Sequence, residues 1–214
     1  MTTSPEDHGA RFDEKADEYD DDHPPEYENC LSLVLDHARA RLEEGDVVLD
    51  LGAGTGAVAL ALATGDPRPG RAVGRDVSEG MLDRAREKAT ERGVENVEFG
   101  EGRFREPNYD DRVDLVVSNF AMHHLSDDEK REALREIADL GARTVVLGDV
   151  MLFGEADPSE PFYDPAVDDP ATVGVLADAF TDAGFPLTAV APVHDQVGVL
   201  VGERVPDGEM PGDR

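Results

Sequence analysis

Ten residues constrain this chain more than any others: Val47-Val48-Leu49-Asp50-Leu51-Gly52-Ala53-Gly54-Thr55-Gly56. Val47–Leu51 is a short apolar run suited to a strand buried on both faces. It enters a bend with three glycines, and the small residues Ala57–Ala63 then read as a helix. Glycine in such a bend allows positive φ and lets a ligand approach the backbone where the helix begins. Taken literally, Gly52-Ala53-Gly54-Thr55-Gly56-Ala57 also fits the dinucleotide fingerprint, so glycine spacing alone leaves two ligand classes open. Asp50 separates them. A carboxylate at the strand tip opposes a pyrophosphate and suits a ligand carrying an ammonium or sulfonium.

The rest of the chain continues the alternation. Leu31, Val34, Leu35, Ala38 and Leu42 share a helical face that Gly45 ends. Arg71–Asp76 reads as a second strand. Ser78 caps a helix with Met81, Leu82, Ala85 and Ala89 inward, stopped at Gly93. Residues 97–99, 113–118 and 144–147 read as further strands. Between the last two, Ser126-Asp127-Asp128-Glu129 is a capping box ahead of Leu134, Ile137 and Ala138 at helical spacing. Asp169-Pro170 is expected to open another helix with Val173, Leu176, Ala177 and Phe180 on one face. Two β-rich runs, 187–193 and 196–201, have only His194-Asp195 between them, which fits an antiparallel hairpin and not a crossover. The predicted fold is α/β: a doubly wound, mostly parallel sheet with helices on both faces and one antiparallel strand. Ligands of such sheets sit at the carboxyl ends of the strands, near the switch in strand order.

Composition narrows the partners. The 214 residues carry 49 Asp and Glu against 20 Lys and Arg, a net charge of −29. Phosphate backbones and anionic membranes would repel such a chain, so nucleic acid and membrane partners are not expected. Lys15, Lys88 and Lys130 are its only lysines, and this acid-rich, lysine-poor balance resembles that of salt-accumulating halophiles. Cys30 is the sole cysteine, which removes intrachain disulfides and cysteine-based zinc sites. With neither a membrane-length apolar run nor an apolar signal region, a cytoplasmic location is expected. Residues 1–28 read as an acidic, solvated leader interrupted by Phe12, Tyr19 and Tyr27. Residues 29–204 form the folded domain, and 205–214 a flexible polar tail.

Asp76 ends the second strand, 26 residues after Asp50, where an acidic residue accepts both ribose hydroxyls of a nucleoside. Together with Arg11-Phe12-Asp13, Tyr19-Asp20, Met81 and the run Asp114-Leu115-Val116-Val117-Ser118-Asn119-Phe120-Ala121-Met122-His123-His124-Leu125, these motifs resemble the small class I S-adenosylmethionine-dependent methyltransferases over about residues 10–204. The resemblance implies a Rossmann-like seven-stranded sheet ordered 3-2-1-4-5-7-6. It further implies S-adenosylmethionine as cofactor, with Asp50 and the Gly52-Ala53-Gly54 backbone at its methionine part and Asp76 at the ribose. Val77 and Met81 would line the adenine pocket, Asn119 and Phe120 would flank the amino end and sulfonium, and Tyr19 would close over the cofactor as a lid. One position departs from the family. Relatives often place Gly-Asp after the third strand to accept from the adenine amino group; here Gly102-Arg103 precedes Phe104, and arginine has no acceptor. Arg103 can stack on the ring, or the backbone of residues 102–104 can serve instead, with Asp110 or Asp111 as possible substitutes.

His123 and His124 are the candidate catalytic residues. Either imidazole can take a proton from an oxygen or nitrogen acceptor, and either can instead simply brace the strand-to-helix turn. Asp149 falls at a strand tip facing the expected pocket, as a substrate contact or a solvated end, and His194 reads as a turn residue. No metal site is expected, since sequence neighbours rarely point at one ion. The expected reaction is in-line methyl transfer to a small-molecule acceptor walled by residues 153–168. A non-catalytic S-adenosylmethionine-binding homologue and an NAD-dependent oxidoreductase are the alternatives. Nothing in the sequence fixes the acceptor or the oligomeric state.

Overall fold

Val47–Leu51 forms β1 in the computed structural model, which describes residues 5–21, 23–154 and 161–204. Side-chain alternation along β1 divides the core in two. Leu49 and Leu51 face one layer, where they meet Leu134, Ile137 and Phe180; Val48 faces the other, against Val34, Ala38, Val58 and Leu62. Around it run α1 (Pro5–Asp13), α2 (Pro25–Arg39), α3 (Ala57–Ala63), β2 (Arg71–Asp76), α4 (Glu79–Glu91), β3 (Val97–Glu101) and β4 (Leu115–Asn119). A 3₁₀ turn over Met122–His124 leads to α5 (Asp127–Asp139), β5 (Thr144–Val150), α6 (Val173–Asp182), β6 (Leu187–His194) and β7 (Val197–Glu203).

The seven strands are ordered β3-β2-β1-β4-β5-β7-β6, parallel except for β7, which pairs antiparallel with both β5 and β6. The switch in strand order lies between β1 and β4, where Val48 pairs with Leu115 and Asp50 with Val117. From those two strand tips the chain leaves toward opposite faces, opening a cleft at their carboxyl ends.

Three expectations are corrected. Residues 1–28 are not simply a solvated leader: α1 lies within them, and α2 starts at Pro25 rather than Leu31, with proline at its first turn. The docking is through Asp13, whose Oδ1 accepts from Ser78 Oγ at 2.6 Å and Gly80 N at 2.9 Å, and through Asp20, which takes the Thr55 hydroxyl at 2.7 Å and pairs with Lys88. The helix expected to open at Asp169-Pro170 begins instead at Val173, capped by Thr172. Leu152 N donates to Ala171 O, and Val173 N donates to Leu152 O, which holds that stretch extended. Residues 205–214, read as a flexible tail, lie outside the described residues.

Candidate active site

The bend after β1 packs tightly below and opens above. Gly52 N and Ala53 N both donate to Arg75 O, at 2.9 and 3.0 Å, tying the bend to β2. Gly52 has φ +72°, and a Cβ there would lie 2.3 Å from Ala121 Cβ, so no other residue fits. Gly54, at φ +52°, faces open space. Its N–H donates to Asp76 Oδ2 at 2.8 Å, while Ser78 N donates to Oδ1 at 3.0 Å. Each carboxylate oxygen is thus aimed by backbone donors, the Val77 N–H adding to those of Gly54 and Ser78, and faces the cleft where a ligand hydroxyl can reach it. Asp50 is fully buried and accepts from Ala59 N at 3.0 Å. Burial pushes its pKa to about 7, opposed by the Ala59 bond and reinforced by the charge of Asp76. Asp76 is also shifted up by burial, against its bonds from Ser78 and Gly54. Two carboxylates held this way in one cleft favour a cation.

Across the cleft, β4 ends in Asn119 and Phe120. Phe120 adopts φ +56°, uncommon for a side chain of this size, and its N–H is anchored on Gly148 O at 2.8 Å. Asn119 is buried beside the Tyr27 hydroxyl. Among the described residues neither its Oδ1 nor its Nδ2 has a partner of hydrogen-bond geometry. The Tyr27 hydroxyl interacts with this carboxamide, and its remaining hydrogen-bonding capacity is open to a ligand bearing both an ammonium and a carboxylate.

The histidines part company in the following turn. His123 points down into the fold, its Nδ1 2.5 Å from Asp149 Oδ1, and its backbone N–H donates to Asp149 Oδ2 at 3.0 Å. It does not line the cavity, and neither does Asp149. His124 does, with Nδ1 2.7 Å from Asp168 Oδ1. Ligand atoms of His123, His124 and Asp168 nevertheless lie within 4.8 Å of one another, closer than sequence neighbours were expected to bring them. His194 sits beyond the cavity, 2.6 Å from Asp195.

Two segments roof the cleft. Phe12, Tyr19 and Tyr27, the aromatic exceptions of the acidic leader, all line the cavity, and Phe12 packs against the His124 ring at 5.7 Å between centroids. Burial and the nearby Asp76 push the Tyr19 phenol to about 12, so it stays neutral. From the other side come Pro165, Ala166, Val167 and Asp168, within the stretch expected to wall the acceptor; residues 155–160 of that stretch lie outside the described residues. Lys130, fully buried, locks this segment down by donating to Asp169 O and Leu125 O, each at 2.5 Å.

The resulting cavity measures about 790 Å³. Tyr19, Asp50, Gly52, Ala53, Gly54, Asp76, Val77, Met81, Gly102, Arg103, Phe104, Asn119, Phe120 and His124 all line it. Of the residues expected at the site, His123 and Asp149 are absent from the wall. Asp110 and Asp111 also fall outside, so neither substitutes for the missing acidic residue after β3. Arg103 N and Glu106 O close a tight loop at 2.8 Å, and the exposed Arg103 guanidinium has no carboxylate partner among the described residues. Leu125 and Glu129 were not anticipated, Glu129 being visible only as a helix cap; Asp168 fell within the stretch expected to wall the acceptor, but its pairing with His124 carried no signal.

A doubly wound sheet with carboxylates at the tips of β1 and β2, both in one switch-point cleft, defines an α/β nucleoside-binding protein. The chain belongs to the class I S-adenosylmethionine-dependent methyltransferases: residues 48–142 match the family described as a methyltransferase domain. An uncharacterized methyltransferase of Geobacillus thermodenitrificans is 30% identical over 192 residues, 81% of this chain and 83% of that protein. The uncharacterized methyltransferase YcgJ of Bacillus subtilis is 34% identical over 157 residues, covering 73% of this chain and 58% of its own length. The YcgJ crystal structure superposes with a TM-score of 0.62 at 28% identity, over 75% of this chain and 70% of that one. An arsenite methyltransferase of Halobacterium salinarum is 30% identical over 166 residues, 72% of this chain and 41% of that protein.

Proposed function

We propose that the chain binds S-adenosylmethionine in this cavity and transfers its methyl group to a small-molecule acceptor. The observation that carries the reading is the pairing of Asp76, both oxygens aimed by backbone donors, with the buried Asn119 carboxamide across the same cleft, which among the described residues has only the Tyr27 hydroxyl beside it and no partner of full hydrogen-bond geometry. Asp76 takes the ribose hydroxyls. Asn119 and the Gly52-Ala53-Gly54 backbone hold the amino-acid end, Asp50 supplies a negative field for its cationic groups, and Val77, Met81 and Phe104 enclose the base with the backbone of Gly102 and Arg103. Bound there, S-adenosylmethionine supplies a methyl group already activated by the positive sulfur. The protein's work is placement and exclusion of water, and fixed orientation alone contributes about 7–11 kcal/mol. Phe12, Tyr19 and Phe120 exclude water above the transfer point, and His124 faces the acceptor.

Arsenite does not fit as acceptor. Trivalent arsenic seeks thiolates, and Cys30 is buried under β7 with its thiol pushed far up by burial and the charge of Asp149. Nicotinamide dinucleotides fit no better, because Asp50 would oppose their pyrophosphate. Titration calorimetry in molar KCl should show S-adenosylhomocysteine binding and NAD not binding; the reverse would refute the reading.

Two further outcomes follow. Tyr19→Ala should weaken S-adenosylhomocysteine about tenfold with little change in Tm, because it removes roughly 1.5 kcal/mol of apolar cover from the roof. Asp50, with a pKa of about 7 in the free protein, must ionise fully beside a cationic ligand. Donor binding below neutral pH should therefore release close to one proton and tighten as pH rises from 6 to 8. Binding enthalpies measured in buffers of different ionisation heat check this.

A further inference from the structure

Asp168 and His124 come together across 44 residues, and the structure invests in that meeting. His124 Nδ1 lies 2.7 Å from Asp168 Oδ1, while Asp168 Oδ2 accepts from Asp164 N at 2.8 Å, so the carboxylate is itself aimed. The segment bearing it is pinned to the histidine turn at two further points: Asp169 N donates to His123 O at 2.8 Å, and the buried Lys130 ammonium spans Leu125 O and Asp169 O. Arg11 reaches Asp164 from α1, and Phe12 packs on the imidazole. Both members line the cavity. His123, by contrast, spends an equally short carboxylate bond beneath the floor.

We propose that Asp168 and His124 form a proton-accepting dyad, and that the acceptor is a neutral alcohol, phenol or amine that surrenders a proton as it is methylated. The inference rests on the methyl-donor reading above. Asp168 is a positioning residue: by accepting from Nδ1–H it leaves the basic lone pair on Nε2. His124 Nε2 takes the proton from the acceptor O–H or N–H while the acceptor lone pair forms the bond to the methyl carbon. The carbon–sulfur bond breaks with its electrons going to sulfur, giving neutral S-adenosylhomocysteine, and Asp168 compensates the imidazolium. Cavity charge supports this acceptor class. Carboxylates outnumber guanidinium groups along the wall, so a carboxylate or thiolate acceptor is repelled, and a neutral one must lose its proton inside the site.

The test uses the full chain with S-adenosylhomocysteine bound, labelled with ¹⁵N at histidine. At alkaline pH the His124 ring should show a protonated Nδ1 and an unprotonated Nε2. Asp168→Asn should abolish that preference while leaving the S-adenosylhomocysteine Kd within twofold. In a methylation panel of phenols, aliphatic alcohols, primary amines, carboxylates and thiols, turnover should be confined to the first three. There Asp168→Asn should lower kcat about 10²-fold with KM for the donor unchanged, and Asp168→Glu should recover most of the loss. Turnover confined to carboxylates or thiols, an Nε2-protonated His124, or an unimpaired Asp168→Asn enzyme would each overturn the dyad while sparing the donor site. So would loss of turnover with EDTA and its return with Zn²⁺, which would install an ion held by His123, His124 and Asp168. Failure of the wild-type chain to bind S-adenosylhomocysteine would overturn the donor reading and the dyad with it.

Discussion

Replacing Asp76 by alanine is expected to weaken S-adenosylhomocysteine by two to four orders of magnitude while leaving the Tm of the free protein within a few degrees of wild type. The two halves of this result have one cause. Asp76 is held with backbone donors on both oxygens, so both face the ligand diol in fixed directions. Hydrogen bonds to a charged acceptor contribute about 1.5–3 kcal/mol each, and losing two removes about 3–6 kcal/mol of binding. In the free protein the same carboxylate is a liability, since burial shifts its pKa up and the folded state pays for desolvating it. Alanine relieves that penalty and opens the Gly54 donor to the cleft, which offsets the buried Ser78 N–H that loses its acceptor. A residue kept for binding at the expense of stability is the pattern expected of a functional site. Calorimetry paired with thermal melts reads both halves. An affinity loss below fivefold would show that the ribose lies elsewhere, and a collapsed Tm would make Asp76 a structural residue.

The parts of this architecture that were legible in the sequence are those punctuated by local chemistry. The bounds of β1 follow from an apolar run that ends at the glycine bend, those of β2 from a run that ends at Asp76, and the Ser126–Glu129 capping box is reciprocal as expected. Most of the expected residues that line the cavity were legible for a related reason: all but Tyr19 lie within a few positions of a strand tip, where topology alone sends them toward the cleft. What escaped was decided by distant partners. The leader has almost no helical periodicity, and its docking rests on contacts with distant residues: Asp13 with α4, Asp20 with the glycine bend, and Phe12 with His124. The start of α6 is set by a bridge from Leu152, not by the proline that seemed to open it. Asp168 is one acidic residue among many until the fold carries it to His124. The separation of His123 from His124 in role is likewise invisible in the sequence, because the two rings lie together, 4.1 Å between centroids, and only the positions of Asp149 and Asp168 decide which one faces the cavity.

That separation makes a strong prediction about stability. Asp149→Ala should lower the Tm by about 6–20 °C. The Asp149 carboxylate accepts from His123 N at 3.0 Å and Val150 N at 2.8 Å and pairs with the His123 ring at 2.5 Å, all of it buried. Removing one member of a buried charged pair costs about 3–5 kcal/mol, and in a domain of this length each kcal/mol moves the Tm by about 2–4 °C. The pH dependence identifies the cause. Burial alone would depress His123, and Lys130 adds to that, but the charge and hydrogen bond of Asp149, helped by Asp168, outweigh them and raise its pKa above the usual 6.5. A group raised on folding contributes stability that is complete below pH 6.5 and is lost as pH climbs through the folded value. In Asp149→Ala only burial, Lys130 and the more distant Asp168 remain, so His123 should fall below 6.5 and its contribution to the slope should change sign. Asp50, raised to about 7 by burial, adds the same downward trend to both proteins, so the reading is the difference: between pH 5 and 9 the urea midpoint of the wild type should fall more steeply than that of the variant, with the gap between them widest in acid. Parallel profiles would mean that the two side chains do not share a charge, and that the turn presenting His124 to the cavity is held by packing alone.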